Sequence, residues 1–389
     1  MLIAFTLVIV GALLPEILTH YSKNYSEGGL LVFVQFVGFL TGVLIMPTLI
    51  QTLGRKKVVI VGLFLISFEF LICLLPDWYL IFILVGIAGF GSGLVESSVG
   101  TIILEVTKKK QAMTMSKLEV AYGLGALLIP LLASLLISKG IWEFSFLVLG
   151  ASSFLLMITW KVLSFGSFDT FLIDKIGKSK EAIKNYPFYS KKNYLIIISS
   201  SVYFFFYAGN EISIVHFFPS IFKEEWAISN SLATITVTIY WTAMVIGRVL
   251  TGVIAERLSY NYFFLLINIG SVASLILLAL NENVWLGFFL CFLLGLFMAG
   301  MFAIALIITN QHFPEHTKRV TSILLASNAL GGSLIPIIIG WCMDYYPARI
   351  SFRAFATIML MMLILVIINL GNDRISRESE NIQSNSNIQ

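Results

Sequence analysis

The stretch "LGALLIP", Leu124 to Pro130, returns as "LGGSLIP", Leu330 to Pro336. A second pair stands at nearly the same offset: "PTLIQTLGRKK", Pro47 to Lys57, and "GVIAERLSYNY", Gly252 to Tyr262. Two independent matches at one offset mark a chain built from duplicated halves. The first pair lies inside long apolar runs, so the duplicated unit is a set of membrane spans rather than a soluble module.

Composition agrees. Of 389 residues, 58% are hydrophobic and 12% charged, with a mean hydropathy of +0.93, against roughly 25% charged residues in a soluble domain. Runs of about 20 apolar residues give twelve spans: 2–18, 28–49, 58–75, 79–106, 112–138, 142–164, 193–220, 228–256, 261–280, 285–313, 320–343 and 350–370. They are too long and continuous for porin-type strands, so every span is expected to be helical. The fold class is therefore all-α integral membrane, with twelve transmembrane helices as two pseudo-symmetric six-helix bundles, 1–164 and 193–370. A lysine-rich cytoplasmic loop, 165–192, joins them, and the polar tail, 371–389, is expected to be disordered. The first span begins almost at Met1 without a basic flank and is not read as a cleavable signal peptide. A short helix in a thinned bilayer and a start downstream of the natural one both stay open.

Basic residues predict orientation. Arg55, Lys56 and Lys57, Lys108 to Lys110, six lysines between Lys175 and Lys192, and Lys318 with Arg319 all fall on one side. The other side holds only Lys23, Lys139, Lys223 and Arg349. By the positive-inside rule the rich side is cytoplasmic, which predicts that both termini are inside; the expected location is the plasma membrane. No basic patch interleaved with aromatics points to nucleic acid. Cys73, Cys291 and Cys342 are spaced for neither zinc nor disulfides.

The turn after the second span, with Gly54, Arg55 and Lys56, is similar to the G-x-x-x-D-R-x-G-R-K motif of the major facilitator superfamily. Pro47 replaces the first glycine of that motif and Gln51 its acid, while the second copy keeps Gly252, Glu256 and Arg257. The segments "FVQFVGFLTGVLIMP", "GFGSGLVESSVG", "MSKLEVAYGLGALLIP", "YAGNEISIVHFFPSIF" and "IGRVLTG" together resemble the fucose/galactose/glucose:H+ symporter family, most closely its bacterial glucose/mannose:H+ branch. That resemblance implies a monomeric secondary transporter for a sugar, working by alternating access. The acid some members carry in the first span falls near Gly11, so that site is missing here. No G-x-x-x-x-G-K-S/T loop is present to cradle a nucleotide. The expected energy source is a proton gradient with no cofactor, and the expected partners are a small-molecule sugar, protons and the lipid bilayer. A proton-driven antiporter exporting drugs or metabolites is the alternative on the same fold.

A carboxylate at mid-membrane costs about 2.5–3.5 kcal/mol or more, so each intramembrane acid is a candidate site. Glu96 ranks first for proton coupling, because Gly86, Gly89, Gly93, Glu96 and Gly100 share one helical face and suggest a backbone groove carrying one carboxylate. A helix-packing stripe is the plainer reading of the glycines. Glu211 ranks second, on a face with Tyr207, Asn210 and Ile214. Gln35, Asn210, Trp241 and Asn328 supply the planar polar groups and aromatic platform expected of sugar binding. Arg248, Glu256 and Arg257, with Gly54, Arg55 and Lys56, are assigned to gating near the cytoplasmic ends. Glu16 and Glu69 are read as snorkelling acids, and His216, Lys117 and Glu119 receive no role.

Overall fold

Hydrocarbon offers backbone N–H and C=O groups no water, so each span satisfies them within its own helix. The computed structural model describes residues 1–106, 111–164, 166, 191–313 and 317–386, and among these no strand occurs. The first half comprises α1 (Leu2–Ala12), α2 (Leu14–Tyr21), α3 (Tyr25–Leu53), α4 (Arg55–Ser67), α5 (Trp78–Val106), α6 (Gln111–Ser138) and α7 (Phe144–Val162). The second comprises α8 (Lys191–Trp226), α9 (Asn230–Arg257), α10 (Tyr260–Leu280), α11 (Val284–Met298), α12 (Met301–Gln311), α13 (Thr317–Tyr345) and α14 (Ala348–Ser386). Among the described residues, 11 stretches are long and apolar enough to cross a membrane, or 12 with α1 and α2 taken as one bent span.

Three spans depart from the single helices expected. α1 and α2 meet at 51°, because Pro15, in the first turn of α2, lacks an N–H and crowds the preceding turn. α4 tightens into a 3-10 segment, Phe68–Leu74. The tenth span is α11 and α12, meeting at Ala299 and Gly300. The tail also differs from expectation: the backbone continues α14 as helix to Ser386, since extending a formed helix needs no new nucleus. Most of the expected central loop, 165 and 167–190, lies outside the described residues.

Within the first half α3 and α4 both pack on α5; within the second α8 packs on α13, and α9 on α11. The halves meet along two main seams, α3 on α13 and α6 on α9, with α1 also against α8. Cross-half hydrogen bonds gather near one end of these seams, beside the turns at 22–24 and 227–229. Asn230 donates to Glu16 Oε1 (2.7 Å) and Thr234 Oγ1 to the Ala12 carbonyl (3.0 Å). Ser134 and Ser231 exchange bonds to each other's carbonyls (2.8 and 3.0 Å). Glu16 is therefore a cross-half acceptor, not a snorkelling acid. The lysine pattern predicts that this end faces outside, and it is called the outer end below.

Candidate functional site

Between the halves lies a central cavity of about 260 Å³, lined by Glu96 of α5, Tyr122 of α6, Tyr207, Glu211 and His216 of α8, Trp241 and Arg248 of α9, and Asn328 of α13. Leu7, Val8, Phe36, Phe39 and Phe302 complete its apolar wall. Glu96 and Arg248 fall in the second halves of helices that start at the outer end, and Asn328 and Tyr122 in the first halves of helices that finish there. These four therefore sit between mid-membrane and the end opposite the cross-half bonds, whereas Glu211 and His216, in the second half of α8, lie on the outer side of them.

Neutral and charged groups share the lining. Tyr122 meets Trp241 edge-on at 5.8 Å, and the Arg248 guanidinium lies 5.7 Å from the Trp241 ring centroid, within cation–π range. Trp241 Nε1, a donor, and Asn328 Oδ1, an acceptor, are both buried with no protein partner among the described residues; His216 Nδ1 is likewise unpaired but lies against Gly11 of α1. Each such group costs about 1–3 kcal/mol if nothing meets it, so an open donor and an open acceptor in the lining of one cavity are the pattern of a site for a polar ligand.

The sequence pattern of the family described as the Major Facilitator Superfamily matches residues 1–219 and, a second time, residues 199–386. The chain belongs to the Major Facilitator Superfamily. It is a multi-pass membrane transport protein rather than an enzyme. This facilitator is 30% identical to the glucose/mannose transporter GlcP of Bacillus subtilis, over 91% of this chain and 88% of the relative. It is 25% identical to the sodium-dependent glucose transporter 1A of Mus musculus, over 89% of this chain and 88% of the relative. Among solved structures, its fold is similar to the xylose transporter XylE from E. coli in a partially occluded inward-open conformation, with a TM-score of 0.71, 14% identity and 93% of each chain covered.

Of the residues predicted for the site, the facilitator brings Glu96, Glu211, Trp241 and Asn328 to the cavity. Two do not reach it. Gln35 is buried and donates from Nε2 to the Thr6 carbonyl of α1 (2.7 Å), tying α3 to α1. Asn210 is buried one position from Glu211, its Nδ2 donating to the Phe355 carbonyl of α14 (3.3 Å). Each amide donates into a helix seam, since a step of about 100° per residue turns a neighbour off the cavity face, while Gln35 Oε1 and Asn210 Oδ1 are buried with no protein partner among the described residues. Arg248, assigned from sequence to gating, is a wall residue. Gly54, at φ 85°, ends α3 and starts α4; Arg55 is buried, and Lys56 Nζ donates to the Leu163 carbonyl (2.9 Å). The side chains of Gly252, Glu256, Arg257, Lys117 and Glu119 lie outside the described residues.

The glycine stripe resolves into two parts. A Cβ on Gly89 or Gly93 would run into the Gln35 or Phe39 carbonyl of α3, and one on Gly86 would meet Val34 at 3.0 Å. The expected groove is thus filled by a neighbouring helix, and only Glu96, beyond the packed stretch, turns to the cavity. Sequence reasoning gave no role to His216, which lines the wall where α8 meets α1. A Cβ on Gly11 would come within 2.5 Å of its Cα and 2.6 Å of its Nδ1. Glu69, read as snorkelling, is instead fully buried, beside the Thr6 side chain of α1.

Proposed function

We propose that this facilitator takes up a hexose of the glucose/mannose type together with a proton, by alternating access, as a monomer with both termini cytoplasmic. The observation that carries the reading is that Trp241 Nε1 and Asn328 Oδ1, a buried donor and a buried acceptor, both neutral, line the same cavity. A sugar hydroxyl both donates and accepts, so a polyol satisfies such a pair, while the Trp241 and Tyr122 rings offer apolar faces to its C–H surface. A cavity near 260 Å³ lies just under the roughly 300 Å³ at which pockets for larger ligands begin, and suits a monosaccharide. Its likeness to a glucose/mannose transporter over most of both chains supports the same substrate class.

Glu96 carries the proton in this reading and Glu211 holds the sugar or shares the proton. A mid-membrane carboxylate facing a cavity is where loading and release can follow hydration. Sodium coupling is the second reading, favoured by the likeness to a sodium-dependent glucose transporter. Purified protein in liposomes separates the two. Uptake of labelled glucose driven by an imposed pH gradient without sodium, and competed by mannose, is the expected result. Uptake that needs a sodium gradient favours the second reading, and no flux of any hexose rejects both.

A further inference from the structure

The first turn of α3 exposes four N–H groups at the positive end of a helix. Its own capping box takes two: Glu27 N–H donates to Asn24 Oδ1 (2.9 Å) and Asn24 N–H to Glu27 Oε2 (3.2 Å). The other two go to the opposite half. Tyr25 N–H donates to Asp344 Oδ1 (2.6 Å), Ser26 N–H donates to Asp344 Oδ2 (2.7 Å), and the Ser26 hydroxyl donates to the same oxygen. Asp344 ends α13, so its carboxylate completes the cap of a helix it does not belong to. A Cβ on Gly340, one turn earlier in α13, would strike the Tyr25 carbonyl, so the two helix ends are in backbone contact here. Tyr25 Oη adds a bond to Glu224 Oε1 (2.9 Å).

We propose that Asp344 is the latch of the outer gate, and that its bonds to Tyr25 and Ser26 set how much of the transporter rests in this closed state without substrate. Only an interaction that differs between two states shifts their balance. A cap from within one half persists as the halves rock, whereas a cap lent across the seam is lost on opening. The bonds are charge-assisted and so stronger than the Ser134–Ser231 exchange on the neighbouring seam. Water reaches the latch through a vestibule of about 430 Å³ that Lys23, Lys223, Glu224 and Asp344 line, so the freed donors can be solvated on opening.

The test needs no sugar, so it stands or falls separately from the substrate assignment. Spin labels at Tyr79 and Trp285, both highly exposed on opposite halves at the outer end, report the gate as a distance distribution in the full-length protein. Asp344→Asn keeps the shape but sets an NH2 group against one donor. It is expected to raise the open-to-closed ratio about tenfold or more, the effect of losing one hydrogen bond to a charged acceptor. Asp344→Glu is expected to keep the closed distance, and Ser26→Ala, which leaves both backbone donors in place, to shift it less. A distribution for Asp344→Asn that matches the parent, with only a lower unfolding temperature, overturns the proposal and leaves Asp344 as an ordinary cap. Should Asp344→Asn fail to fold, Ser26→Ala decides: a shift supports the latch and an unchanged distance rejects it.

Discussion

At the scale of single residues, the cavity separates groups that a list of polar letters cannot. Glu96, Glu211, Trp241 and Asn328 were legible because an acid, an indole or an amide stands out among the aliphatic residues and small hydroxyls of their spans. Gln35 and Asn210 look the same in sequence, yet each spends its amide on a carbonyl of a neighbouring helix. The angle that decides between wall and seam is set by the neighbours, not by the helix itself. Asn328→Ala is therefore expected to raise the half-saturating sugar concentration, at about 1–3 kcal/mol for a lost ligand bond. Asn210→Ala is expected to leave that concentration alone and lower the unfolding temperature, a split that uptake titrations and melting curves would read directly. Glu96→Gln preserves shape and mimics a permanently protonated acid, so it is expected to bind and exchange sugar across the membrane but not to concentrate it. Glu211→Gln is expected to keep accumulation. If the Glu96 variant still accumulates sugar in a way an uncoupler abolishes, the proton is carried elsewhere.

At the scale of helices, apolar length located every span, but the breaks were harder to read. Pro15 was visible in the sequence; that it splits the first span into α1 and α2 depends on α8 and α9 packing against the bend, where Thr234 holds the Ala12 carbonyl. The glycines of α5 were legible as one face, and that face is the seam with α3. Gly93→Val is expected to force α3 and α5 apart, with a cost of about 1–3 kcal/mol or more, seen as poor yield of folded protein in detergent. Gly100→Ala, where a Cβ meets nothing within 4 Å, is expected to behave as the parent. The pair tests whether the stripe is packing, since spacing alone treats the two positions alike.

At the scale of the whole molecule, the duplicated halves could be read from two short repeats, whereas which ends of the halves touch could not, because that is a choice among the positions of a moving machine. Orientation follows from charge, and a reporter fused at the C-terminus is expected to read as cytoplasmic while one inserted at Asp77 reads as external; inversion at both sites would refute the assignment. The two seams repay a symmetry argument. The repeats equate α3 with α9 and α6 with α13, so α3 on α13 and α9 on α6 are two images of one ancestral contact, such as a two-fold homodimer would have made twice. Ser26 and Ser231 are each the second residue of the equated helices, and each still reaches across its seam. The partners they reach are not equivalent: at the 206-residue offset Asp344 stands opposite Ser138, whereas Ser134, which meets Ser231, stands opposite Gly340. Unequal clasps give the opening stroke a direction that identical ones could not: the α6–α9 seam, joined by the Ser134–Ser231 exchange, is expected to part before the α3–α13 seam, which label distances measured across each seam would check.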